Sequence, residues 1–421
     1  MAGALYGQKR IRRALIVAPL SILGVWQEEF TKFTDFPYAL TVLSGTGTKK
    51  AATLKRMRGS ALQVIVINYE SAWRLEKELG SWKPDLIIAD EGHKIKTHNI
   101  SVSKAMHRLG AGAAYRLLLT GTPVTNKAID IFSQYKFLDP SIFGKSFYIF
   151  RNRYFDMTGY GQYTPVLKAS MEQELTRKMH SIAYRATKEE CLDLPSTTDI
   201  LRRIDLEPKA QLLYRQLQKD SYAELKKGEV TITNVLTKLL RLSQLTGGFL
   251  GSDASVTAEQ VSHAKLDVLE DILDGTLEEN RKLVIIARFV PELQAICRLL
   301  THKGVRHSLI MGGVSNRDEQ VAQFQTDPEV KVFVGQIATA GLGITLTAAS
   351  TMVFYSLDYS MSNFEQTKAR IHRAGQRMPC TYIYLLAAGT VDEKVLTALK
   401  DKANLAKTLV DDYRKGMNPF Q

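Results

Sequence analysis

The sequence is poor in several features that mark whole classes of protein. Its three cysteines, Cys191, Cys297 and Cys380, lie far apart and are odd in number. They form no Cys-x-x-Cys pair, so neither a disulfide framework nor a zinc site is indicated, and a reducing compartment fits. None of the eight histidines stands in a His-Glu-x-x-His spacing, which argues against a zinc hydrolase. No apolar run approaches the ~20 residues that span a bilayer. Ala14–Leu20 follows Arg10, Arg12 and Arg13, but Pro19 ends it early and no small-residue cleavage site follows. It reads as a first core strand rather than a signal peptide. A phosphate loop of the form Gly-x-x-x-x-Gly-Lys-Ser/Thr is also missing. In Ser44-Gly45-Thr46-Gly47-Thr48-Lys49-Lys50, the glycine five positions before Lys50 is Gly45, and the next residue is Ala51. This reads as an ordinary turn between strand and helix.

What is present is ordinary in bulk and unusual in charge. The chain has 421 residues, 45% hydrophobic and 24% charged, enough for two or three globular domains. Net charge is +13 with a pI near 9.4. Such a surplus favours a polyanionic partner, most often nucleic acid. The expected setting is cytoplasmic, beside nucleoid or host-cell DNA, with no membrane partner.

Leu86-Ile87-Ile88-Ala89-Asp90-Glu91-Gly92-His93 is the most informative stretch. An apolar run that ends in two carboxylates reads as a buried parallel strand with acid at its carboxyl end, where ligands of open α/β sheets bind. A first carboxylate there can hold Mg²⁺, and a second can orient the water that attacks a γ-phosphate. The bland alternative is an acidic strand end without a metal. Around it, Ala14–Pro19, Tyr38–Leu43, Gln63–Asn68 and Arg116–Leu119 read as strands alternating with helices, which implies a parallel sheet covered on both faces. Ser21 can cap the helix running to Phe30, and Trp26 with Ile22 and Phe30 reads as core. Asn126 to about Ala264 reads as helix-rich, with aromatics crowded over Phe143–Tyr163. The α/β pattern returns with strands at Lys282–Ala287, His307–Met311, Val330–Gly335 and Met352–Ser356. Between the last two lies Ala338-Thr339-Ala340-Gly341-Leu342-Gly343, whose glycines allow close approach to a phosphate or a nucleic acid strand.

Gln366-Thr367-Lys368-Ala369-Arg370-Ile371-His372-Arg373-Ala374-Gly375-Gln376 is the second informative stretch. On a helix, Arg370 and Arg373 share one face, and two guanidinium groups suit bidentate phosphate contacts. An exposed basic helix is the plain alternative. One half with an acidic strand end and another with an arginine face is the division a cleft-type nucleotide hydrolase needs.

With these residues in view, the sequence resembles the Swi/Snf-type branch of the superfamily-two helicase-like ATPases, from Ala14 to about Val395. Ala18-Pro19-Leu20-Ser21-Ile22-Leu23 with Trp26, Asn68-Tyr69-Glu70, Asp90-Glu91-Gly92-His93 and Leu119-Thr120-Gly121-Thr122-Pro123 with Asn126 resemble its ordered motifs in the first half. Arg185-Ala186-Thr187-Lys188, Gly341 to Ala349, and Gln366, Arg370, His372, Arg373 and Gln376 resemble those of the second. The resemblance implies an α/β fold of two RecA-like parallel-sheet lobes joined by a helix-rich insertion. The first lobe would span 1–140, the insertion and linker 141–262, and the second lobe 263–421.

It also implies a DNA-dependent ATPase using ATP and Mg²⁺ and translocating on duplex DNA. Asp90 would bind Mg²⁺, Glu91 would position the attacking water, and Arg370 and Arg373 would be arginine fingers. Gln366, Gly341 and Gly343 would lie near the nucleotide. His93, Thr120 and Thr122 would couple the nucleotide to the lobe interface, and Ser21 and Thr339 would face the DNA backbone. Three departures qualify the expectation. The family's phosphate loop would precede Arg10, where Met1–Gly7 resembles only the helix after it; a preceding segment or a partner protein would supply the loop, or the chain is a DNA clamp without turnover. Gln336-Ile337 stands where the family has a Ser-Thr pair, and Tyr359-Ser360 replaces a tryptophan-containing segment. Both imply a divergent, bacterial or phage-like member.

Overall fold

The computed structural model describes residues 1–410 apart from 58, 125–126, 159–163, 187, 227–231, 252–257, 315 and 341–342. The chain divides into two compact units, one built on Met1–Arg185 and the other on Ala186–Asp401.

The first unit is organised by five parallel strands: β1 (Arg13–Ala18), β2 (Tyr38–Val42), β3 (Leu62–Asn68), β4 (Leu86–Asp90) and β5 (Tyr115–Leu119). Their order is β2-β3-β1-β4-β5. Every residue of β3 is buried, because helices cover both faces and leave no solvent side on which polar residues could alternate. The two faces separate by the two-residue period of a strand. Ala14, Ile16, Val64, Val66 and Ile88 pack with Leu23 and Phe30 on one side. Leu15, Val17, Ile65, Ile67, Ile87 and Ala89 pack with Leu79, Met106 and Leu109 on the other. A helix does form over Ala2–Gly7. Ser21 lies in a short 3-10 turn, Leu20–Ile22, and the following helix, Leu23–Phe33, takes Ile22 rather than Ser21 as its N-cap residue.

After this sheet comes an aromatic helical cluster. Phe132, Tyr135, Phe143, Phe150 and Tyr154 bury against Leu175 and Met179, with edge-on ring pairs such as Tyr135–Phe143 at 5.1 Å and Phe143–Phe150 at 5.2 Å. A small antiparallel hairpin, β6 (Phe155–Thr158) and β7 (Thr164–Leu167), completes it. This region is therefore not purely helical.

The second unit contains β8 (Thr197–Ile204), a short pair β9 (Phe249–Leu250) and β10 (Glu259–Gln260), then β11 (Leu283–Ala287), β12 (His307–Ile310), β13 (Val332–Gln336), β14 (Thr351–Phe354) and β15 (Cys380–Ala387). Six of these form a parallel sheet in the order β12-β13-β11-β14-β15-β8. Four of the six are expected from the sequence. The other two, β15 and the exposed edge strand β8, are not; the Thr-Thr-Asp-Ile-Leu-Arg-Arg-Ile of β8 carries too little alternation to be read as half-buried. No helix among the described residues is long and apolar enough to cross a membrane.

A buried polar network fastens the second unit. Lys265, on the helix Ala264–Glu278, donates to Asp392 Oδ2 at 2.6 Å and to the carbonyl of Tyr355 at 3.1 Å. Asp392 also accepts from Thr246 Oγ1 at 2.7 Å and Ala387 N at 3.1 Å. Nearby, Glu292 Oε2 accepts from Ser356 Oγ at 2.5 Å, Phe289 N at 3.0 Å and Arg288 N at 3.2 Å. Its Oε1 is buried without a hydrogen-bond partner among the described residues. Burial pushes the Glu292 carboxyl up to about 7, against the pull of those donors.

Two predictions follow from this network. Lys265→Met leaves the Asp392 charge buried and short of a partner, so urea unfolding is expected to show a loss of about 3–5 kcal/mol. Glu292 keeps its proton in the folded state over a range where the unfolded chain releases it. Its contribution to stability is complete below the ordinary carboxyl value and is lost as pH rises to about 7. Glu292→Gln removes that dependence, so the melting temperature of the variant minus that of the native chain should climb between pH 5 and pH 7.5; a constant difference would refute the assignment.

Candidate active site

The acidic stretch falls where β4 ends. Asp90 is the last residue of that strand, paired in register with Leu119 of β5. Asp90 Oδ1 accepts from the Glu91 amide at 2.9 Å, and Oδ2 accepts from the Trp26 indole at 3.0 Å. The Tyr69 hydroxyl donates to the Asp90 carbonyl at 2.7 Å. Burial raises the Asp90 carboxyl above its ordinary value, opposed by the Trp26 hydrogen bond and assisted by the charge of Glu91. A bound cation would reverse that push. Burial, and then the Asp90 charge, hold the Tyr69 phenol well above its ordinary value, so its O–H remains a donor.

Glu91 turns the chain out of the strand with φ of 50°, a left-handed conformation that costs a non-glycine residue about 1–3 kcal/mol. Gly92 follows because nothing larger fits: a Cβ there would lie 2.2 Å from Leu118 Cγ. His93 is 9% exposed. Its Nδ1 is 3.2 Å from Glu91 Oε2 and 3.4 Å from Thr120 Oγ1. Thr120 Oγ1 in turn accepts from the Thr122 amide at 3.1 Å. Asp90, Glu91, His93, Thr120 and Thr122 are thus brought into one connected group at the carboxyl edge of β4 and β5.

Two buried atoms of that group, Glu91 Oε2 and Thr122 Oγ1, have no hydrogen-bond partner among the described residues; the approach of His93 to Glu91 is an ion-pair distance without hydrogen-bond geometry. Buried polar atoms are nearly always satisfied, so these orphans mark a place where a polar ligand fits. The donors are hard oxygens, suited to Mg²⁺. Among the described residues no cluster of three or more His, Cys, Asp or Glu could hold a metal. The glycine turn before the helix Gly47–Arg56 has Thr46 as its cap, and Lys50 turns inward to donate to Ser71 Oγ at 2.7 Å.

In the second unit the arginines do not lie on a helix. The helix Met361–Lys368 carries Gln366 and stops before Arg370. Its end tightens as Ala369 N reaches Glu365 O and Thr367 O, and the Arg370 carbonyl is taken by Leu346 N at 3.0 Å. Arg370 and Arg373 instead converge through one acceptor: their Nη1 atoms lie 3.3 and 3.2 Å from the Ile344 carbonyl. This places both beside Gly343, which has φ of 70°. Gln376 is 8% exposed and donates to the carbonyls of Thr347, Ala349 and Ile371; it braces this loop. Thr339 sits on the short helix Ile337–Ala340 and donates to Gln336 O at 3.0 Å. Gly341 and Leu342, like Asn126 and Thr187, lie outside the described residues.

Two residues at the acidic group make contacts that spacing does not predict. Trp26 and Tyr69 meet Asp90 across 64 and 21 positions of chain, distances over which no local periodicity operates.

These features coincide with a family. The chain belongs to the SNF2-related family: the SNF2-related domain matches residues 1–247, and the helicase conserved C-terminal domain matches residues 264–375. The DNA repair and recombination protein RDH54 of Saccharomyces cerevisiae is 28% identical, over 95% of this chain and 46% of that protein. Chromodomain-helicase-DNA-binding protein 1-like of Danio rerio is 26% identical, over 95% and 39%. An ATP-dependent helicase of Mycoplasma genitalium is 25% identical, over 96% and 38%. The chain spans less than half the length of these curated relatives. Among solved structures, the SWI2/SNF2 ATPase core of Sulfolobus solfataricus in complex with double-stranded DNA is 24% identical, with a TM-score of 0.42, over 97% of this chain and 84% of that one.

Gly92→Ala drives a methyl group into Leu118 and is expected to cost about 1–3 kcal/mol of stability, read by chemical denaturation. Adding Leu118→Ala should return part of the stability lost at Gly92, since the two sites share one contact. Simple additivity of the two losses would refute the packing argument.

Proposed function

We propose that this chain is the motor core of a DNA-dependent ATPase that acts on duplex DNA. The observation that carries the reading is the carboxyl edge of β4, where Asp90 is held from both sides and buried Glu91 Oε2 has no hydrogen-bond partner among the described residues. Asp90 is the residue that would hold Mg²⁺, which when bound supplies charge neutralisation on the phosphates of ATP. Glu91 orients the attacking water and takes up its proton. Arg370 and Arg373 act as arginine fingers on the developing phosphate charge, with Gln366, Gly341 and Gly343 near the nucleotide. Thr120, Thr122 and His93 sense the γ-phosphate by the hydrogen-bonding change its loss imposes on their linked group. Ser21 and Thr339 face the DNA backbone, and the +13 charge of the chain supports a polyanionic partner.

A second reading, a clamp that binds DNA without turnover, draws on the +13 charge of the chain, which favours a polyanion whether or not ATP is hydrolysed. One assay separates the two. Phosphate release from ATP is measured with and without duplex DNA for the native chain, Glu91→Gln and Arg373→Ala. The motor reading expects DNA-stimulated release that drops by roughly 10³ or more in Arg373→Ala and is lost in Glu91→Gln. Salt-sensitive DNA binding without release selects the clamp, and absence of both overturns both readings.

A further inference from the structure

We infer that Trp26 is a positioning residue for the cation-binding carboxylate, fixing the rotation of Asp90 from the helix that follows the Leu20–Ile22 turn. The inference rests on the reading of Asp90 as the Mg²⁺ ligand. Rotation of a carboxylate about χ2 is soft and roughly two-fold, so a lone aspartate at a strand end presents its oxygens in a spread of directions. Here two donors remove the spread, and a third fixes the backbone of the same residue. The Glu91 amide holds Oδ1 at 2.9 Å, the Trp26 indole holds Oδ2 at 3.0 Å, and the Tyr69 hydroxyl pins the carbonyl of the same residue at 2.7 Å. Each carboxylate oxygen has two acceptor sites, so both keep one for a cation or its water.

Of the two donors to the carboxylate, the indole is the one that comes from outside the strand exit, on the helix Leu23–Phe33. It is a rigid donor, packed against Phe30 at 6.4 Å, which packs in turn against Tyr38 at 5.3 Å. Trp26 is only half-buried, so water could have satisfied its N–H; burial does not force the bond to Asp90. Partners that orient a metal ligand commonly change metal affinity by about 10–100-fold when removed. The helix bearing Trp26 starts directly after the turn that holds Ser21. A displacement of that turn by a bound polyanion therefore reaches the carboxylate through a single side chain.

Trp26→Phe keeps the ring and deletes the donor. Binding of Mn²⁺ to the full chain is followed by the loss of free-ion electron paramagnetic resonance signal, for native chain, Trp26→Phe and Asp90→Ala, with melting temperatures taken alongside. The expected result is affinity about tenfold weaker in Trp26→Phe at an unchanged melting temperature, and loss of the site in Asp90→Ala. Native affinity in Trp26→Phe with loss in Asp90→Ala overturns the inference and leaves the cation reading of Asp90 standing. Native affinity in Asp90→Ala overturns both. If Trp26→Phe does not fold, the ¹⁵N indole spectrum decides. The chain has three tryptophans; one indole signal should move in Asp90→Ala, and three unmoved signals refute the bond.

Discussion

A parallel sheet buried on both faces cannot spend polar residues along its strands, so its chemistry collects where the strands stop. In the first unit this constraint acts most sharply at β4. Four residues are sealed from water and the fifth, Asp90, is a partly buried acid. The chain must then leave the sheet at once, which it does through a left-handed Glu91 and a glycine that has no room for a side chain beneath Leu118. The strain at Glu91 and the tight packing at Gly92 are two consequences of one demand: the carboxylates must stand at the rim while the backbone folds back beneath them. His93 and Thr120 then close the group from below and from the neighbouring strand exit.

The second unit meets the same constraint differently. Its central charges are paired inside, with Lys265 and Asp392 drawing together the ends of β14, β15 and three helices. At its rim, Gln336 links three strand exits: its Oε1 accepts from Gly312 N at 3.1 Å, and its Nε2 donates to the Arg288 carbonyl at 3.2 Å. A serine at this position would be too short to bridge both. Gln336 is thus a brace across the carboxyl ends of β12, β13 and β11.

What was legible in the sequence follows from how far the relevant forces reach. Runs such as Leu62–Asn68 and Leu283–Ala287 announce themselves because sheet burial acts on every residue. The edge strand β8 does not, because it lies almost wholly in solvent and its identity comes from backbone pairing with Cys380–Ala387. Spacing alone places Arg370 and Arg373 on one helical face, yet the helix ends at Lys368, since the Arg370 carbonyl is taken by Leu346. Trp26 reads as core from its neighbours on the helix, and half of that reading holds: the ring packs on Phe30 while its N–H serves Asp90. The missed contacts are those set by tertiary proximity of polar atoms, which leave no periodic trace.

The arginine pair carries a further consequence of its geometry. Both guanidinium groups meet one carbonyl, that of Ile344, at 3.3 and 3.2 Å, so the two donor atoms stand no farther apart than those two bonds end to end. Two like charges at ~6 Å repel by roughly 1 kcal/mol in water and by about 3 kcal/mol at the effective dielectric of a protein surface. A doubly or triply charged phosphate group offsets such repulsion, and planar guanidinium forks match its oxygens. The shared contact with Ile344 brings the two forks together off the helix, which is the geometry behind the proposal that they act on transition-state charge.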